Sequence, residues 1–232
     1  MLIGIMLSVV LMAMMFLAQW YVKSSFNKFS QVPARQGLTG AQVARQILDA
    51  NGLNNVGVES IQGELTDHYD PRDKMLRLSE PVYGSRSLAA FGVAAHEAGH
   101  AIQDRQGYIP LQLRQGIYPL ASIGSSFGVL LIPVGVILAM FTGVIGVGVA
   151  MLGLALYAMA VLFSVITLPV EFDASRRALV ALEQGGMMSS EEVTGARKVL
   201  NAAAMTYVAA TIGAVATLLY YVWMLFGAAQ EE

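Results

Sequence analysis

"VILAMFTGVIGV", residues 136–147, is apolar on both sides of a short break at Phe141, Thr142 and Gly143. Toward the amino terminus the apolar run reaches back to about Pro119, and beyond the break it continues from Val144 to Leu168. Each arm is long enough to cross a hydrocarbon core, which takes about 20 residues. With so little chain between them, the two arms are expected to form a tight transmembrane hairpin. Two further runs have the required length: "LIGIMLSVVLMAMMFLAQWYV" at 2–22 and about Ala203 to Ala228. Trp20, Tyr21, Tyr118, Tyr220, Tyr221 and Trp223 sit near the ends of three of the four, as interfacial aromatics do. The first run has no Lys or Arg before Lys23 and exceeds the apolar core of a signal peptide, so it is expected to stay as an anchor. Composition agrees. The 232 residues are 56% hydrophobic and 13% charged, against about 25% charged in a soluble domain.

The basic residues orient this frame. All 14 Lys and Arg fall between spans one and two or between spans three and four, and four crossings put those segments on one face. The amino terminus, the 141–143 turn and the "QEE" tail share the other face and carry none. The positive-inside rule makes the charged face cytoplasmic. The expected fold is a mainly α integral membrane protein with four transmembrane helices (2–22, 119–141, 144–168, 203–228). Segments 23–118 and 169–202 form a cytoplasmic α+β domain, and 1–232 is one integrated, multi-pass unit in the lipid bilayer. A net charge of -2 gives no basic surface for nucleic acid. The absence of cysteine excludes disulfides and thiolate metal sites.

Within the charged segments, "TGAQVARQILDANGL" predicts a helix with Thr39 as N-cap, Gln42 completing a capping box and Gly52 as the stop. Strand-like pieces follow at 56–61, 64–69 and 74–79. The turn chemistry of "DPRD" (70–73) is expected to pair the last two as a hairpin. A helix then starts near Ser85 or Ser87 and runs to about Arg105. Another is expected from about Glu171 to Gln184, and a last one, capped at Ser189 with Glu192 three residues on, leads into the fourth span. The 74–79 strand either offers its edge to an extended peptide, as β-addition requires, or is an ordinary core strand.

"HEAGH", residues 96–100, matches H-E-x-x-H. Residues four apart share one helix face with Cβ atoms about 6 Å apart, so His96 and His100 can reach one zinc ion. Glu97 is placed as the catalytic base for water, whose pKa zinc lowers to about 7. Gly99 costs up to about 1 kcal/mol in a helix, which points to a backbone packed close against it. A catalytic zinc takes a third protein ligand and keeps one position open. The hairpin returns "LPVEFDASRRA" (168–178) to the face of the histidine helix, which nominates Glu171; Pro169 before it suits a helix start, and the helix dipole favours an acid in the first turn. His68, Tyr69, Tyr83, Arg176 and Tyr207 are candidates to stabilise an oxyanion, and the spacing does not choose among them.

"HEAGHAIQ", "LPVEFDASRRA" and "LTDHYDPRDKMLRLS" together resemble the bacterial YugP-type membrane zinc metallopeptidases, a group that looks related to the HtpX heat-shock protease and the CaaX prenyl protease. The resemblance covers nearly the whole chain. It implies a gluzincin-like site with one Zn2+ per chain held by His96, His100 and Glu171, and Glu97 as base. It further implies a metalloendopeptidase of the bacterial cell membrane acting on membrane-associated or misfolded polypeptides. One departure stands out. The related families often carry E-x-x-x-D, whose aspartate orients a ligand histidine, and here that position is Ser175, so the support must come from Ser175 itself, from Asp173 or from elsewhere.

Two other readings compete. An intramembrane metalloprotease would bury its histidine motif in a span and take an aspartate from another, but Leu88 to Ile102 is a short apolar stretch and no aspartate lies in the four spans. The other is a non-catalytic membrane scaffold, with an incidental motif or a structural metal, or a transporter; a transport pathway would call for charged groups in the spans, and the four spans carry none.

Overall fold

The computed structural model describes residues 2–227; the end of the fourth apolar run at Ala228 and the "QEE" tail lie outside them. Eight α-helices and one small sheet follow along the described chain: α1 (Leu2–Ser30), α2 (Gly40–Ala50), β1 (Gly57–Ile61), β2 (His68–Asp70), β3 (Met75–Ser79), α3 (Glu80–Tyr83), α4 (Leu88–Arg105), α5 (Ile109–Ile123), α6 (Val129–Thr142), α7 (Val144–Gln184) and α8 (Ser190–Val222). Four helical stretches are long and apolar enough to cross a membrane: α1, α5 to α6 joined through a π-helical turn at Gly124–Gly128, α7, and α8 with its terminal π turn. The chain is therefore mainly helical with a three-stranded sheet.

The chain divides into two compact units. The first combines the chain up to Phe16, Gln112–Leu168 and the chain from Tyr207 onward. Its hairpin turns at Gly143, which adopts φ +57°. Small residues let α6 and α7 come together: a Cβ added at Gly128, where the π turn meets α6, would lie 2.8 Å from the Tyr157 nitrogen. In lipid such packing replaces the hydrophobic effect as the source of helix association.

The second unit combines Leu17–Leu111 and Pro169–Thr206. Its sheet has the order β1-β3-β2, with β3 parallel to β1 and antiparallel to β2. β3 is thus the central strand, with Leu76 and Leu78 fully buried, and has no free edge for a peptide. The hairpin expected across 70–73 is present, although β2 is only three residues long. The core around α4 gathers Phe91, Ile47, Leu48, Val82 and Leu182. Caps read from the sequence hold at α2, where Thr39 and Gln42 make both capping-box bonds, and at α8, where Glu192 accepts from the Ser189 backbone nitrogen at 2.9 Å. Glu192 also accepts from the Arg35 backbone nitrogen at 2.8 Å, which ties α8 to the segment after α1.

One boundary differs from expectation and matters for the site. Pro169 does not begin a new helix; it lies inside α7, which runs unbroken to Gln184. A proline removes one backbone donor from a helix, a loss that long apolar helices tolerate when local adjustments satisfy the freed carbonyl. Glu171 is therefore a mid-helix residue, and the helix dipole has no part in placing it.

Gly99 does sit against another backbone: a Cβ there would lie 2.6 Å from the Ala174 carbonyl oxygen of α7. Ala is the better helix former by about 1 kcal/mol, yet at this position it must push α4 from α7. Gly99→Ala is expected to destabilise the protein by about 1–3 kcal/mol, read as a lower melting temperature of the detergent-solubilised chain. An equal or higher melting temperature would contradict the close approach.

Candidate metal centre

α4 begins at Ser87, whose hydroxyl accepts from the Ala90 backbone nitrogen at 3.2 Å, and its alanine-rich face buries against α2, α7 and the sheet. Small side chains bring α7 so close that His96 and His100 meet Glu171 directly. His96 Nε2 lies 3.2 Å and His100 Nε2 3.7 Å from Glu171 Oε2. The two imidazoles pack edge to face with ring centroids 4.7 Å apart. Their side chains are 15% and 11% exposed and that of Glu171 4%, so the cluster is open only on the histidine side. Among the described residues these three form a His/Glu cluster able to offer one ligand atom each within 4.8 Å of one another.

The donor set suits zinc. Ligands about 2.1 Å from a tetrahedral ion stand about 3.4 Å apart, close to the two histidine–glutamate separations. Two nitrogen donors and one carboxylate oxygen leave a fourth position free, as at catalytic rather than structural zinc sites. Burial alone would push the Glu171 carboxyl up, but the two imidazoles bonded to it outweigh that and hold it well below the ordinary carboxylate range.

Glu97 is buried on the same helix turn. Burial pushes its carboxyl above the ordinary range; the imidazoles pull it back in part, and the negative fields of Glu171 and Asp67 add to the rise. No hydrogen bond ties the Glu97 carboxyl among the described residues, so its proton-accepting capacity is unspent. Asp67 is anchored elsewhere, accepting from the Ser79 backbone nitrogen at 2.8 Å and its hydroxyl at 2.9 Å.

The imidazole nitrogens that face away from Glu171 are both engaged. His96 Nδ1 lies 3.0 Å from Ser175 Oγ, so the serine at the departing position does reach a histidine. His100 Nδ1 lies 3.0 Å from Gln103 Oε1. Gln103 was not singled out in the sequence, although a polar residue at i+3 from His100 on an alanine-rich helix is a usable signal. Asp173 does not reach an imidazole; it meets Gln103, Arg176 and Arg177.

The oxyanion candidates scatter. His68 is exposed on β2 with Nδ1 2.8 Å from the Thr66 carbonyl oxygen. Tyr69 donates to Asp104 at 2.7 Å, an acceptor it shares with Lys74. Tyr83 packs against the core, Arg176 is paired with Asp173, and Tyr207 lies on α8.

Four membrane-length helices and a histidine–carboxylate cluster fit for one divalent ion define a class, the multi-pass membrane protein with a candidate catalytic metal site. Comparison with known proteins narrows it. The family described as "Putative neutral zinc metallopeptidase" matches residues 4–226, and the chain belongs to that family. "Putative membrane protease YugP" of Bacillus subtilis (strain 168) is 45% identical over 228 residues, covering 98% of this chain and 99% of that protein. No solved structure matches the chain. The YugP-type family read from "HEAGHAIQ", "LPVEFDASRRA" and "LTDHYDPRDKMLRLS" is therefore correct.

Proposed function

We propose that this chain is a gluzincin-type zinc endopeptidase that hydrolyses membrane-associated or misfolded polypeptides at the cytoplasmic face of the bacterial cell membrane, with 1–232 working as one peptidase. The observation that carries the proposal is the convergence of His96, His100 and Glu171 beside the buried, unbonded carboxyl of Glu97. The three would hold one Zn2+, and Glu97 is the general base. Bound zinc supplies Lewis acidity to the scissile carbonyl and makes water acidic enough for a carboxylate to deprotonate near neutral pH. Glu97 takes the proton from the attacking water and returns it to the leaving amine. Its raised proton affinity suits both halves of that task. Membership of a zinc metallopeptidase family supports the reaction class. The helix that carries the histidines is not among those both long and apolar enough to cross a membrane, which favours a site outside the hydrocarbon core over an intramembrane one. The test is hydrolysis of an unfolded protein in detergent micelles: activity should vanish with a chelator and return with zinc, and His100→Ala should lose both metal and cleavage. Chelator-insensitive cleavage would defeat the proposal.

Orientation has its own measurement. The chain lacks cysteine, so single cysteines can be placed at will. Thr142→Cys at the hairpin turn should react with a membrane-impermeant maleimide in intact cells, and Glu64→Cys, exposed before β2, only after lysis. The reverse pattern would put the site outside.

A further inference from the structure

Resting on His96, His100 and Glu171 as ligands, we infer that Gln103 is a positioning residue that presets His100 with its Nε2 lone pair toward the metal and ties that ring to the segment of α7 carrying Glu171. Gln103 is fully buried, where a primary amide is tolerated only with its donors and acceptor satisfied. Its Nε2 donates to the Val170 carbonyl oxygen at 2.8 Å and to Asp173 Oδ2 at 2.9 Å. A backbone carbonyl and a carboxylate paired with two arginines accept and do not donate. The amide therefore has one orientation, nitrogen toward α7, and its Oε1 faces His100 Nδ1.

The tautomer follows. A carbonyl oxygen only accepts, so His100 Nδ1 carries the hydrogen and, in the neutral ring, the lone pair is on Nε2. Nε2 is then the nitrogen that faces Glu171, with Oε2 3.7 Å away, so whatever the two share, a proton or the metal ion, is held on that side. His96 is held differently. The Ser175 hydroxyl on its Nδ1 both donates and accepts, so either tautomer of His96 is satisfied. One ligand of the pair is preset and the other adapts. Because Val170 precedes Glu171, the same amide also fixes the height of α7 against α4, coupling the ring to the carboxylate.

The sequence holds three histidines, so the full chain labelled with nitrogen-15 histidine gives a readable ring spectrum. In zinc-free wild type His100 should show one state, with Nδ1 protonated and bonded to the Gln103 oxygen. Gln103→Met should show a tautomer mixture and bind zinc about 10- to 100-fold more weakly in chelator competition. Gln103→Glu still accepts from Nδ1–H and should keep the single tautomer while losing the tether to Val170. If Gln103→Met does not fold, Gln103→Glu decides alone, and a mixed tautomer there overturns the inference. A folded Gln103→Met with unchanged tautomer and zinc affinity, and only a lower melting temperature, would reduce Gln103 to a structural cross-link and also overturn it. Zinc affinity untouched in His100→Ala would instead remove the ligand reading, and the inference with it; the zinc-free spectrum does not share that failure.

Discussion

Replacing Glu97 with Gln should leave zinc bound and lower kcat for peptide hydrolysis by about 10²–10⁴-fold, the usual contribution of a positioned general base. The amide fills the same volume in the same buried place but cannot accept a proton. Nothing else in the cluster changes, since His96 and His100 keep Ser175 and Gln103 on their outer nitrogens. The substitution also carries a stability signature. In the zinc-free protein burial disfavours the charged carboxyl of Glu97, so a neutral amide removes that cost, and the zinc-free variant should melt at or above the wild-type temperature. Metal content, kcat and melting temperature together separate a lost base from a damaged site. Undiminished zinc-dependent proteolysis in Glu97→Gln would defeat the assignment.

Much of this arrangement was legible in the chain, and the reasons differ by residue. The spans, the hairpin turn and the caps at Thr39, Ser87 and Ser189 follow from local rules: apolar length, turn residues and side-chain acceptors for the first helical turn. The histidine pair was readable because one helix sets its geometry. The meeting of α4 with Glu171 is a non-local event, yet topology foretold it; what topology missed was the mechanism. Pro169 suggested a helix start, and the structure instead carries Glu171 on the unbroken α7. The central place of β3 was hidden for a related reason, since its parallel partner β1 is separated from it in sequence by β2, and pairing across an intervening strand leaves no local pattern. Gln103 was missed because its amide matters only through Val170 and Asp173, distant in sequence and on another helix.

Glu171→Ala is the sharper test of the metal centre. It removes the sole anion of the cluster and leaves two imidazoles with ring centroids 4.7 Å apart, too few donors for a closed grip on zinc. Affinity should fall by more than about 100-fold, beyond the loss typical of residues that only orient a ligand, and cleavage should disappear with it. Of the other acids near the site, Glu97 alone is untied, and the remaining two have little freedom to substitute. Asp67 is fixed to Ser79 and Asp173 to Gln103 and two arginines. Glu171→Asp keeps the charge on a side chain one methylene shorter and should retain weakened binding, whereas Glu171→Gln, neutral at the same reach, should bind more weakly than wild type. Metal analysis of the purified chain beside these variants decides the matter: wild-type zinc content and affinity in Glu171→Ala would mean that the carboxylate between the two imidazoles is not a ligand.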